Sequence, residues 1–301
     1  FDVQIGWYDA GDEIQNPVEL TSHSGQKFLA HPIRVKNKIL SAGGFTPDII
    51  LLNNDFSSGY PKILDQVSQP IVPSHTLGWH SRCKSKHFEY YNKLALEFAK
   101  LIDIDPWLIQ LETELVSDVD FAEEKGLDRI AQTTELMIER LKEAYKKHNL
   151  KQDPFVYIKS NTGTYGMGIM VAHSGQEVLE VNRRTKNKMS VGKGKQHITS
   201  VIVQEGVPTI TKFKNATAES AIYLVGCELI GGFLRTHPER SQEENLNSPG
   251  MVLEKLCMSD LQKLSDEDLD QELNKDEPTI ELVYGSIARL SAFAAGMELK
   301  G

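Results

Sequence analysis

Apolar residues return at helical intervals in three stretches of the chain. Over 86–102 they are Phe88, Tyr91, Leu94, Phe98 and Leu101, and over 127–147 they are Ile130, Leu136, Met137, Leu141 and Tyr145 among many charges. Steps of three and four hold such residues on one face, so both stretches are predicted as amphipathic helices. A third helix is predicted over 279–298, where Ala288, Ala292, Ala294 and Ala295 allow close approach to a neighbour. The acidic, leucine-spaced stretch from Asp260 to Asp276 reads as a surface helix.

Elsewhere the apolar residues run together. Pro-Asp-Ile-Ile-Leu-Leu-Asn (47–53) has the pattern of a buried strand ended by polar residues, and a second short strand ends near Val72-Pro73. Residues 154–158 and 169–171 are short strands rich in β-formers, and 200–204 is a β-branched one. Residues 218–226 and 231–237 read as one hairpin, with 227–230 at or near its turn. The pattern gives a mixed α/β (α+β) chain, with an α/β segment over 1–118 and, within 119–301, a strand-rich part from about 150 to 258 closed by the terminal helix.

At 301 residues with 40% apolar content, the chain suffices for two domains with true cores. Its 33 Lys and Arg against 42 Asp and Glu leave a net charge of −9. That balance argues against a general nucleic-acid binder, which needs a basic face. No apolar run is long enough to span a membrane. Cys83, Cys227 and Cys257 form neither a disulfide framework nor a zinc spacing, which fits a reducing cytoplasm. The chain opens Phe-Asp-Val without Met or a leader pattern, which suggests part of a longer polypeptide. Composition leaves room for a homo-oligomer.

Candidate chemistry concentrates between 154 and 171. Lys159 closes a strand, and a turn follows with Gly163, Gly166 and Gly168. Glycines let main-chain N–H groups close on anionic oxygens while an ammonium adds a point charge, which suits a polyphosphate. A Walker A loop puts its Lys after the glycines at a helix start, and a Rossmann loop runs G-x-G-x-x-G into a helix. Here the spacing is G-x-x-G-x-G, the Lys comes first, and the loop joins strand to strand. A glycine-rich hairpin with no ligand is the alternative.

Further along, Gln204-Glu205-Gly206-Val207 ends a β-branched strand. An apolar slot with exposed main-chain donors and acceptors is what a nucleotide base needs, and an ordinary capped strand end is the plainer reading. Arg235 lies in an apolar strand, where a guanidinium requires an anion, either a protein carboxylate or a substrate carboxylate or phosphate. Asn245 and Asn247, spaced i, i+2, would point the same way on an extended segment and serve an oxygen-loving cation or a substrate. A plain Asn-rich turn competes with that. The polar loop Asn53-Asn54-Asp55-Phe56-Ser57 follows a strand, where α/β sheets place ligands.

Arg82, Lys84 and Lys86 crowd the start of a helix, against the dipole, which points to an anionic partner or a solvated basic turn. The basic stretch 183–188 with Lys193 and Lys195 is a solvated face or a funnel for an anionic nucleotide. His23, His31, His75 and His80 follow no metal-ligand spacing and are read as structural.

These pieces occur in a familiar order. Lys159 with Asn161-Thr162-Gly163-Thr164-Tyr165-Gly166-Met167-Gly168, then Gln204 to Val207, Glu219, Gly232-Phe233-Leu234-Arg235-Thr236 and Asn245 to Gly250 resemble the ATP-grasp fold. They are most similar to a bacterial glutamate–cysteine ligase family of that fold, as are 51–55, 77–79 and 98–107. The likeness runs from about residue 48 to the end.

The resemblance implies ATP and Mg²⁺ as cofactors, L-glutamate and L-cysteine as substrates, and a γ-glutamyl phosphate intermediate on the way to γ-glutamylcysteine. It implies that Lys159, Lys86 and the 161–168 flap hold phosphates, that Gln204, Glu205, Gly206 and Val207 face adenine, and that Glu219 reaches the ribose. Arg235 would bind a substrate carboxylate or the phosphate in transfer. Asn53, Asn54, Asp55, Ser57, Arg82, His237, Asn245 and Asn247 complete the implied substrate contacts. The Glu-x-Asn pattern that binds magnesium in many such enzymes is missing after Asn247, so its carboxylates are expected before Phe1, with Asn245 or Asn247 as further ligands. The resemblance also admits a glutathione synthetase-like ligase or an ATP-binding regulator without catalysis.

Overall fold

Residues 1–8, 16–56, 59–162, 168–192, 197–256 and 280–299 are described by the computed structural model. They divide into two units, Phe1–Arg82 and Cys83–Gly301. In the first, β1 (Ile5–Trp7), β2 (Val18–Thr21), β3 (Lys27–Lys36) and β4 (Ile39–Ala42) form one sheet in which β3 pairs with the other three. Asn37 and Lys38 join β3 to β4 with φ of 52° and 66°, the two left-handed residues of a tight hairpin turn.

The apolar run at 47–53 yields only β5 (Ile50–Leu51), paired in parallel with β6 (Ile71–Val72). Leu51 is 74% exposed, so the expected buried strand is corrected to a short, two-stranded one. The unit's small core is Leu40, Phe56 and Leu64. Its described residues contain strands and 3-10 turns but no α-helix.

The second unit opens with α1 (Lys84–Leu101), followed by β7 (Thr113–Ser117) and α2 (Leu127–Lys147). Both stretches are helical as predicted, but Leu101 and Leu136, counted on their apolar faces, are 80% and 48% exposed. Helix α1 belongs here because Tyr91 and Ala95 pack against Ala294 near the far end of the chain. The unit boundary at Arg82/Cys83 therefore precedes the helix rather than following it at 118.

Then come β8 (Val156–Ser160), β9 (Ile169–Ala172), α3 (Gly175–Leu179), α4 (Arg183–Ser190) and β10 (Ser200–Glu205). One antiparallel sheet runs β7-β10-β8-β9. Alternate residues of its strands, including Val156, Ile158, Val201 and Val203, meet Ile130, Met137, Ile138 and Leu141 of α2 in the main core. Each such fully buried side chain contributes about 2 kcal/mol. The basic stretch 183–188 is helical, N-capped by Asn182.

A second antiparallel sheet comprises β11 (Lys212–Phe213), β12 (Ala216–Val225), β13 (Glu228–His237) and β14 (Val252–Leu256). The predicted hairpin is β12–β13, longer than its apolar pattern and turning at Gly226 and Cys227. Helix α5 (Ile280–Glu298) closes the chain. The acidic stretch 260–276 lies outside the described residues. No described helix is long and apolar enough to cross a membrane.

Candidate active site

A cleft of about 250 Å³ lies between the two antiparallel sheets of the second unit. It is lined by Tyr157 and Lys159 of β8, Ile169 of β9, Gln204 and Glu205 of β10, Val207, Glu219 of β12, and Glu244 and Asn245 after β13. The pairing Ile202↔Lys159 and Gln204↔Tyr157 sets Lys159, Tyr157 and Gln204 on the face turned away from α2. The structure thus brings Lys159, Gln204, Glu205, Val207, Glu219 and Asn245 together across more than eighty residues of sequence.

Lys159 is the centre of the electrostatics. Its Nζ donates to Gln204 Oε1 at 3.2 Å and sits 4.7 Å over the Tyr157 ring. Burial first, and then the charge of Lys84, lower its pKa to about 8, against the opposing pull of Glu219. Lys84 is lowered to about 8 by burial as well, and its Nζ donates to the Ser160 carbonyl at 2.8 Å. Two partly desolvated ammoniums therefore press on one another beside strand β8, an arrangement that an anion relieves.

The start of α1 is tied to the same strand. Cys83 stands at the N-cap without a side-chain bond to the helix. Asn161, 5% exposed, supplies the cap instead, its Oδ1 accepting from Ser85 N and its carbonyl from Lys84 N. The side chain expected to touch nucleotide is thus turned to the helix. Strands β8 and β9 form the expected hairpin. Gly168 at its return has φ of 61°, and a Cβ there would lie 2.6 Å from Ile198. Ser160 Oγ donates to the Thr162 carbonyl at 2.6 Å. Gly163, Thr164, Tyr165, Gly166 and Met167 lie outside the described residues, as do Ser57, Lys193, Lys195 and Cys257.

At the other end of the cleft Gly206 is committed. Its N–H donates to Phe155 O, its carbonyl accepts from Tyr145, and a Cβ would meet the Phe155 ring at 2.3 Å. Glu205 is buried, which raises its carboxyl pKa, while a bond from Glu112 N opposes the rise. Val207, 58% exposed, is where the main chain leaves the sheet.

Arg235 finds its anion in the protein. Glu219 stands directly across the β12–β13 ladder and pairs with Nη1. The guanidinium also lies 5.9 Å over Phe233, and its Nε is buried without a partner among the described residues. His237 is occupied on both ring nitrogens, by the Pro249 carbonyl and by Glu239 N, and so anchors the loop that follows β13. Asn245 and Asn247 do not lie on an extended segment. Asn247 N donates to Asn245 Oδ1 in a turn around buried Leu246, and only Asn245 reaches the cleft.

In the first unit, Asn54 Oδ1 accepts from Phe56 N, and the Asp55 carbonyl from Trp79 N. Arg82 stacks 5.2 Å from the Trp79 ring, while Asn53 is exposed. In the second unit Lys86 lies along α1, where its charge acts on Glu89 of an exposed face. Sequence reasoning placed Lys84 only within the basic cluster 82–86, chose Lys86 for the phosphates, and passed over Tyr157. Two signals mark Lys84 and Tyr157: a cation at the first position of a helix, and the residue two before Lys159 on one strand face.

The profile of the glutamate-cysteine ligase (GshA) family matches residues 1–299. A crystal structure of a candidate gamma-glutamylcysteine synthetase from Methylobacillus flagellatus KT is similar at 39% identity and a TM-score of 0.82, over 99% of this chain and 69% of that one. A D-alanyl-alanine synthetase A from Vibrio cholerae O1 biovar eltor str. N16961 aligns over 92% of this chain and 70% of its own at 12% identity. Its TM-score of 0.36 is too slight to bear on the fold. No curated protein matches. A profile match along nearly the whole length, with a solved relative at that identity, places the chain in the glutamate–cysteine ligase family, the carbon–nitrogen ligases that join glutamate to cysteine.

Proposed function

We propose that residues 83–299 form an ATP-grasp body that holds ATP between its two antiparallel sheets. The buried ammonium of Lys159 at the middle of the cleft carries this reading. The adenine lies toward Val207, where main chain leaves the sheet. The phosphates lie toward Lys159, Lys84 and the 161–168 flap, and Lys86 adds charge from further along α1. Glu219 faces the ribose or the phosphates and holds Arg235 in place. In the first unit, Asn53, Asn54, Asp55 and Arg82 are proposed for glutamate. The cleft's oxygens do not fit a protein-built magnesium cage. Glu219, Glu244 and Asn245 are each engaged by protein donors, and no cluster of three metal-binding side chains occurs among the described residues. No step is assigned to the metal.

The chemistry follows from a poor leaving group. A carboxylate does not release its oxygen to an amine, so the γ-carboxylate oxygen of glutamate attacks the γ-phosphorus of ATP and ADP departs. The cysteine nitrogen then attacks the acyl carbon, and phosphate leaves with that oxygen. The protein's task is position and charge, supplied by Lys159, Lys84 and Arg235. The flap excludes water that would hydrolyse the intermediate. We place the reaction in the cytoplasm. Lys159→Ala tests the assignment: removing one such cation costs about 3 kcal/mol of transition-state stabilisation, so ADP release dependent on glutamate and cysteine falls on the order of 100-fold. Near-normal turnover in that variant refutes it, and AMP with pyrophosphate in place of ADP refutes the acyl-phosphate route.

A further inference from the structure

The face of the second sheet that carries Glu219 continues beyond the cleft. Residues alternate across β12 and β13, so the pairs Glu219↔Arg235, Ala221↔Phe233 and Tyr223↔Gly231 share that face. The opposite face holds buried Leu234 and Leu256, with Tyr284 of α5 packed on them. The order along the open face follows from one contact and the strand register. Thr209 N donates to Gln242 O, which sets the Val207 end of the cleft beside the loop after β13. Moving back along β13 from that loop, Arg235 comes first and Phe233 next, followed on β12 by Tyr223 near the hairpin turn. The aromatic pair therefore lies past the cations, on the side away from Val207.

This patch is polar at one edge and aromatic at the other. The Phe233 and Tyr223 ring centroids are 6.0 Å apart, and Tyr223 is 55% exposed. Arg235 spends Nη1 on Glu219 and keeps a buried Nε–H with no acceptor among the described residues. A buried donor left without an acceptor is costly, and a ligand oxygen removes that cost.

The geometry points to this face as the seat of the amine substrate, with Arg235 receiving the α-carboxylate of cysteine and the Phe233–Tyr223 pair receiving its thiol. The inference rests on the ligase reading above and adds to it the residues that select the side chain. Thiol sulfur is polarizable and gives up little hydrogen bonding to water, and aromatic rings attract it at about 5 Å. A serine hydroxyl placed against the two ring faces gives up part of its hydration and gains no comparable contact from them. The pair thus favours cysteine over serine.

The test separates the two layers. Wild-type protein given glutamate, ATP and hydroxylamine should form γ-glutamyl hydroxamate, which needs no side chain on the amine; its absence sinks the ligase mechanism itself. The inference is read from KM for cysteine and for serine in ADP release. Phe233→Leu should raise KM for cysteine about five-fold and narrow the preference over serine by a similar factor. Tyr223→Leu, at an exposed position that folding tolerates, should move both quantities in the same direction. Hydroxamate formation by the wild type, together with an unaltered cysteine-to-serine preference in both variants, overturns it.

Discussion

At the scale of single residues, the two lysines beside β8 make a prediction whose sign can be worked out. Lys159 and Lys84 are each lowered to about 8 from an ordinary 10.5, chiefly by burial. Between those values the unfolded chain holds protons that the folded chain has released, so stability rises with pH across that window. ATP moves the other way, because its phosphates need ammonium ions, and its affinity falls as pH rises through about 8. Since Lys84 lowers Lys159, loss of one proton eases retention of the other, and an initial slope near one proton is expected. Denaturant titrations of the wild type and of Lys159→Met, at several pH values from about 7 to about 10.5, isolate the effect because shared groups cancel. A difference between the two proteins that stays flat with pH counts against it. Residue identity was legible at Lys159, whose cation precedes three glycines. It was not legible at Asn161, because a cap delivered from a distant strand leaves no mark near Cys83 or Lys84.

Elements differ in how plainly the sequence announces them, and the difference is physical. Helix α2 follows its spacing at Ile130, Met137, Leu141 and Tyr145 because one face meets a large core, where Ile130 is 0% and Met137 0% exposed, while Leu136 falls off that face. The run Ile49-Ile50-Leu51-Leu52 misleads because its apolar residues signal burial that the small first unit does not supply. Strand β3 mixes charged and apolar residues without strict alternation, and β2 and β4 span only four residues each, so pattern alone does not mark them, although Asn37-Lys38 forms the β3–β4 turn. The hairpin outgrows its apolar stretch because charged Glu228 still completes the ladder opposite Val225. The join between α1 and β8 is an element-scale contact with a measurable worth. Asn161→Ala removes the acceptor of Ser85 N and should lower stability by about 1 kcal/mol, typical of a lost N-cap, seen as a shifted denaturant midpoint with unchanged slope. A midpoint equal to wild type shows that the helix start is satisfied by other means.

For the second unit as a whole, the terminal helix is what connects the two walls of the cleft. Near one end, Tyr284 packs on Leu234 and Leu256 of the second sheet, and Arg289 Nε donates to the Cys227 carbonyl at the hairpin turn. Toward the other, Ala294 is 0% exposed against Tyr91 and Ala95 of α1, and Glu298 pairs with His87 at 2.8 Å. The alanine pattern foretold this close packing but gave no sign of which helix it met, since small residues permit contact without choosing a partner. Because α1 also carries Lys84, a shift of α5 on α1 moves the cations relative to the sheet that carries Glu219 and Arg235. Ala294→Leu inserts three carbons where none fit and should cost roughly 1–3 kcal/mol, with helix α5 displaced. Ala294→Gly weakens the helix by about 1 kcal/mol without forcing the helices apart. If α5 sets the width of the cleft, the leucine variant raises KM for ATP several-fold at temperatures where it is fully folded, while the glycine variant keeps it. Equal KM in both variants, despite lowered stability, shows that α5 supports the fold and leaves the spacing of the two sheets to their own contacts.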